Sequence, residues 1–182
     1  MATTSISTIA LTPPTRTIEY PANETLYPGH IVEIMSTGKV RKNTRVASQT
    51  LMAVALSKEY DGKGVSDAYA QDDTVVIGTF SSGSSVALRV AAGAVAITMG
   101  NVLEAVGDGT VRKQQGRLTN STGGTFDAVV QDVTGTFSQS ILNNNFTDLI
   151  SAVLLATCVG IAAESVDNSG GSGEVFIRTF II

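Results

Sequence analysis

Tryptophan is absent, cysteine and histidine occur once each, and only 5% of the 182 residues are aromatic. A surface that stacks sugars or bases needs flat rings in number, so these scarcities argue against a carbohydrate platform or a base-stacking groove. The lone Cys158 cannot form an internal disulfide, and no CxxC or Cys/His cluster offers zinc a ligand set. Within "LLATCVGIAA" it reads as a buried, inert thiol. Charge is equally thin: 15% of residues are charged, the net charge is -4 and the pI is near 4.9. Neutralising phosphates takes clustered Lys and Arg, and the most basic stretch is only the spaced group Lys39, Arg41, Lys42 and Arg45. A nucleic-acid partner is therefore not expected. The opening "MATTSISTIALTPP" lacks the basic and apolar regions of a secretory signal. The longest apolar stretch, Leu149 to Ala163, is broken by Ser151 and Thr157 and falls short of the ~20 residues of a spanning helix. The expectation is a soluble chain with no membrane partner.

What the sequence does contain is a phrase written twice. "GHIVEIMSTGKVRK" (Gly29–Lys42) aligns without a gap on "GNVLEAVGDGTVRK" (Gly100–Lys113), with Glu33 on Glu104, Gly38 on Gly109, Val40 on Val111, Arg41 on Arg112 and Lys42 on Lys113. Each copy reads as a short β-favouring run, a glycine-containing turn, and a second strand opening with valine. "GDGT" is a strong tight-hairpin signal, and "STGK" delivers glycine to the same place. Gly29, Gly38, Gly100 and Gly109 are thus expected to be structural turn residues. Further on, "VVIGTF" (Val75–Phe80) matches "VFIRTF" (Val175–Phe180), and "AVALSKEYDGKG" from Ala53 parallels "CVGIAAESVDNSGG" from Cys158.

These matches predict a mainly β protein, an internally duplicated β-barrel or sandwich with an extended N-terminal arm and at most one short helix. The arm is placed at residues 1–20 and the β domain at 21–182, built of related units at about 27–80 and 98–180. Between them "SSGSSVALRVAAGAVAITMG" supplies a linker strand or two, and the second unit carries an insertion at about 114–156. Each unit alone is too small to cover both faces of a sheet, so one shared core is expected. At 147–157, Asn145 or Thr147 as cap and the spacing of Ile150, Val153, Leu154 and Thr157 fit a helix, while the continuous apolar run fits a buried strand equally. The Thr/Ser-rich first twenty residues, with Pro13 and Pro14 in tandem, read either as a frayed terminus or as an arm that orders on a partner by strand addition. In the second case Ile6, Ile9, Leu11 and Ile18 are its anchors, and the arm has no fixed structure when unbound.

Chemistry is sought and not found. His30 is the one histidine, its counterpart is Asn101, and no orienting partner or nucleophile is indicated, so it reads as a half-exposed strand residue. Glu33 and Glu104 could face each other as a two-acid site, but strand alternation favours solvent or pairing with an Arg or Lys across the hairpin. Asp72 and Asp73 mark a solvated turn. The acidic loops "YDGKGVSD" and "VDNSGGSGE" lack the spacing of a calcium loop. No phosphate-binding glycine motif or nucleophile elbow is present. The expectation is no enzyme and no cofactor or metal.

The order of "YPGHIVEI", "AVALS", "ALRVAAGAVAITMGNVLEAVGDGTVRK" and "VGIAAESVDNSGGSGEVFIRTFI" resembles the capsid decoration, or cement, proteins of tailed bacteriophages, of the β-tulip or β-barrel type. That resemblance implies a structural virion protein, assembled in the host cytoplasm and located on the outer capsid surface. It would be a homotrimer whose partner is the major capsid protein, clamping neighbouring subunits of the expanded shell. Candidate contacts are then Thr8, Ile9, Leu11, Pro13, Pro14, Ile18 and Tyr20 of the arm, with Arg41, Lys42, Arg112 and Lys113 at the hairpin ends. For these four, a solvated hairpin edge is the other reading. The alternative function is a head fibre or other virion β-protein that binds host surfaces, with "ILNNNF" as an exposed tip.

Overall fold

The computed structural model describes residues 6–44, 53–114 and 158–182. The chain divides into one unit made of Met1–Gln114 with Cys158–Ile182 and another made of Gln115–Thr157. The candidate helix at 147–157, the "ILNNNF" tip and Arg45 lie outside the described residues. The described part is mainly β: β1 (Arg16–Pro21), β2 (Ile31–Ile34), β3 (Val40–Lys42), β4 (Ala53–Ala55), a single 3-10 turn (Glu59–Asp61), β5 (Thr74–Thr79), β6 (Ser85–Val90), β7 (Val102–Ala105), β8 (Val111–Lys113), β9 (Cys158–Ala162) and β10 (Val175–Ile181).

The repeated phrase forms two hairpins in identical register. Glu33 lies opposite Arg41 in β2–β3, and Glu104 lies opposite Arg112 in β7–β8. Gly29, Gly38, Gly100 and Gly109 all carry positive φ, between 74° and 89°, where a side chain would be strained. The duplication reaches well beyond the hairpins. The first sheet runs β1-β5-β4-β2-β3, and the second runs β10-β6-β8-β7-β9 and closes into a barrel. Superposing the ladders sets β6 on β1, β10 on β5 and β9 on β4. A parallel pairing of Val90 with Val111 closes the second barrel, and a parallel bridge of Ala22 with Val40 makes the same closure in the first. The second sheet is a closed five-stranded barrel, and the first is a five-stranded sheet whose ends that single bridge draws together in the same way; they are called barrel two and barrel one below.

Three expectations need correction here. First, the described part of the segment placed as an arm, residues 6–20, belongs to the body. β1 pairs along its whole length with β5, from Arg16 opposite Thr79 to Pro21 opposite Thr74. Ahead of it the chain runs along β6: Ala10 bridges Val86, the Ala87 N–H donates to the Ile9 carbonyl, and the Thr12 N–H donates to Ser85. Ile9 is fully buried in the core of the second barrel. The tandem prolines sit between these two stretches, where the chain turns from one barrel to the other and needs no amide donor. Second, the strand expected in the linker is β6, and it belongs to the second copy as its first strand. Third, the ladders align Ala53 with Gly160 and Ile77 with Thr179, each two residues beyond the sequence match. A slip of two preserves which residues face in, so pattern matching does not detect it.

The single shared core also resolves differently. Barrel one has an interior of its own, formed by Leu26, Val32, Val40, Ala53, Ala55, Val75 and Ile77, with Tyr69 alongside. The larger cluster fills barrel two with Val86, Leu88, Leu103, Val111 and Ile177, and continues outward to Ile31, Val54 and Phe80 of barrel one. Ile31 and Val54 are cross-strand partners that point away from their own barrel. Their burial is the packing that joins the two halves.

Removing residues 1–20 is expected to abolish cooperative folding, because β1 and the buried Ile9 go with them. The milder Ile9→Ala should cost about 2–5 kcal/mol in denaturant unfolding. In hydrogen exchange on the free protein, the amides of Ala87 and Thr12 are expected to be protected, and rapid exchange at both would contradict the pairing described.

Candidate functional site

The residues flagged for chemistry are committed to holding the fold. Arg41 Nε donates to Glu33 Oε1 at 2.6 Å, and Arg112 Nε donates to Glu104 Oε1 at 2.8 Å. The two glutamates do not face each other; each pairs with the arginine directly across its own hairpin. Glu104 is buried, 1% exposed. Burial raises the Glu33 carboxyl, but hydrogen bonds from Arg41 and Thr44 outweigh it and hold the group below its ordinary value. Asp72 pairs with Lys39 at 2.6 Å, and the Asp73 carboxylate accepts the Ala70 N–H. In the acidic loops, Asp67 accepts the Gly64 N–H and Asp167 accepts both the N–H and hydroxyl of Ser169. These are turn-building contacts. Among the described residues no three His, Cys, Asp or Glu side chains gather as a metal would require, and no helix is long and apolar enough to cross a membrane. Cys158 is partly buried beside Gln114, and burial pushes its thiol up.

The expectation of a half-exposed His30 is overturned: the ring is fully buried where the two barrels meet. The turn before β2 tucks it there, because Gly29, with φ of +89°, lets the backbone lie against Phe176. A Cβ on Gly29 would stand 2.9 Å from that ring. His30 Nδ1 accepts the Tyr27 N–H at 3.1 Å, which leaves Nε2 as the protonated nitrogen, donating to Glu174 Oε2 at 3.0 Å. The same oxygen accepts from Arg89 Nη1 at 3.2 Å. Arg89 Nε and Nη2 donate to the carbonyls of Pro28 and Val65, and its guanidinium lies between the rings of Tyr27 and Phe176 at 4.9 and 4.6 Å. Burial lowers the Arg89 pKa, with Glu174 opposing that effect. The hydrogen bond from His30 is the main reason the Glu174 carboxyl stays below its ordinary value, and desolvation opposes it.

Among the described residues the polar atoms of this cluster face one another, with His30 and Arg89 both donating to Glu174 Oε2. The cluster is a latch between barrels. Arg89 and Glu174 were not singled out in the sequence. The available signal was an arginine in the otherwise apolar strand "SVALRV", which must find acceptors if its neighbours are buried.

The candidate surface residues separate in the same way. Ile9 is buried, while Ile18 and Tyr20 pack against the barrel-one core, so these three are occupied by the fold. Arg41 and Arg112 are held by their glutamates. Thr8, Pro14 and Lys42 are half-buried, whereas Leu11, Pro13 and Lys113 are exposed. No protein-family model matches the chain, and no curated protein matches it in sequence.

The latch has a defined acid response. Because the folded-state Glu174 carboxyl lies below its unfolded value, its contribution is present above the unfolded value near 4.3 and is lost as pH falls through the lower folded value. Denaturant midpoints are expected to drop in that acidic window, and Glu174→Gln should flatten the drop. At neutral pH the same substitution should cost about 1–3 kcal/mol. Identical pH dependence in the two proteins would refute the assignment.

Proposed function

We propose that the chain is a structural virion protein. It binds the outer surface of an expanded phage capsid as a homotrimer and clamps neighbouring major capsid protein subunits. The observation that carries this reading is the fate of its acids and bases. In two consecutive barrels built from the very segments that resemble decoration proteins, the flagged groups serve turns, cross-hairpin pairs and the latch. A protein whose task is to stay rigid under load needs those devices and needs no active site. The exposed small and apolar residues fit binding by area and main-chain pairing rather than by a pocket. Tethering three copies turns later contacts into intramolecular ones and raises avidity by roughly 10² to 10⁴.

The decisive assay is co-sedimentation with undecorated expanded capsids. Truncating the N-terminus would remove β1, so the informative variants are substitutions at exposed positions of the full chain, Leu11→Asp and Lys113→Glu. Saturable binding at a fixed ratio to shell subunits, weakened by these changes in proteins that remain folded, is the expected outcome. An absence of binding by the wild type would overturn the proposal and redirect the search to host-surface ligands.

A further inference from the structure

Within the chain the two barrels meet through unlike surfaces. Barrel one offers the turn before β2, where the Pro28 carbonyl accepts from Arg89, together with the outward pair Ile31 and Val54. Barrel two offers the outward face of β6 and β10, where Ala87, Arg89 and Phe176 lie against Gly29. A head-to-tail contact of this kind leaves each partner with one surface of the pair unused.

Both unused surfaces are exposed. In barrel two, Val102 stands where Ile31 stands in barrel one, Ile161 where Val54 stands, and Ile182 where Phe80 stands. Ile31 and Val54 are 0% exposed and Phe80 is 9%, whereas Ile161 is 37% and Ile182 is 53% exposed. Met99, the counterpart of buried Pro28, is 66% exposed. On barrel one, the counterparts of Ala87, Arg89 and Phe176 are Glu19, Pro21 and Thr74, and all three are exposed.

The polar part of the contact has a counterpart as well. Asn101 replaces His30, and its Oδ1 accepts the Thr98 N–H at 3.0 Å just as His30 Nδ1 accepts the Tyr27 N–H. That leaves the Asn101 Nδ2 amide as a donor, in the role that His30 Nε2 plays toward Glu174. The counterpart of Glu174 is Asp72, whose side chain is 64% exposed.

We infer that the chain self-associates head to tail: the row of exposed Met99, Ile161 and Ile182 with half-buried Val102 of one copy docks on the β1–β5 face of a second copy, with Asn101 meeting Asp72. The occupant follows from the chain itself, which already buries one such row on one such face. The inference concerns contact between copies and does not rest on the capsid reading. The intermolecular version lacks the guanidinium of Arg89 and the ring of Phe176, so it is weaker than the internal contact. Repeated head to tail, it closes a ring when the rotation between copies permits.

Light scattering coupled to size exclusion tests this, with circular dichroism and thermal unfolding to confirm that each variant keeps the wild-type fold. The wild type should run at a multiple of its 18.8 kDa mass. Ile161→Glu, which spoils the row, and Thr74→Arg, which spoils the receiving face, should each run at the mass of one chain. Mixed together they should form a two-chain complex and grow no further, because one intact row then meets one intact face. If Ile161→Glu fails to fold, Asn101→Asp takes its place. It should weaken association about tenfold or more through repulsion by Asp72, and Asp72→Asn in the same chain should restore it. A wild type that stays single up to about 1 mM would overturn the inference. So would Ile161→Glu retaining the wild-type mass, or Thr74→Arg associating alone, which would mean that the row pairs with itself.

Discussion

The structure depends on the contact between the outward row of barrel one and the β6–β10 face of barrel two. Strands of three to seven residues enclose little volume, and the interior of barrel one is largely alanine and valine. Such a barrel buries too small a share of its surface to be secure alone. Covering Ile31, Val54 and Phe80 adds the apolar area that it lacks. The segment before β1 lies along β6 with Ile9 buried, so the chain grips barrel two before it begins barrel one.

The latch adds direction to that contact. Apolar packing between barrels tolerates sliding, whereas Arg89, held by two carbonyls, a carboxylate and two rings, fits at one orientation. Buried ionic groups contribute little net stability once desolvation is counted, and their best-supported use is to set register. Arg89 and Glu174 serve that use here, setting one barrel's orientation on the other.

The duplicated halves show how one residue pattern takes two environments. Gly29 and Gly100 have nearly the same φ, yet the first lies against Phe176 and the second has nothing within 4 Å. His30 and Asn101 accept the same kind of local N–H, but only the histidine extends to a partner inside the chain. The differences gather where barrel one is covered and barrel two is not, which is the asymmetry a head-to-tail contact imposes on two similar units.

The sequence by itself determined what short-range chemistry decides. Alternation and turn glycines placed the hairpins, because a hairpin's register is set by its own loop, and they left Glu33 and Glu104 either facing solvent or pairing with an Arg or Lys across the turn; the structure selects Arg41 and Arg112. The mainly β class followed from the same signals. Only the tertiary structure decided that residues 16–21 form the first strand of a barrel and that β6 opens the second. It alone fixed the true alignment of the two halves, two residues from the apparent one. A period-two pattern repeats under such a slip, and β1 and β5 are brought together by a long-range pairing that no local signal encodes. The burial of His30 beside Arg89 and Glu174 was hidden for the same reason. Whether a polar side chain meets solvent or a latch depends on which distant surface packs over it, and that surface exists only once both barrels have formed.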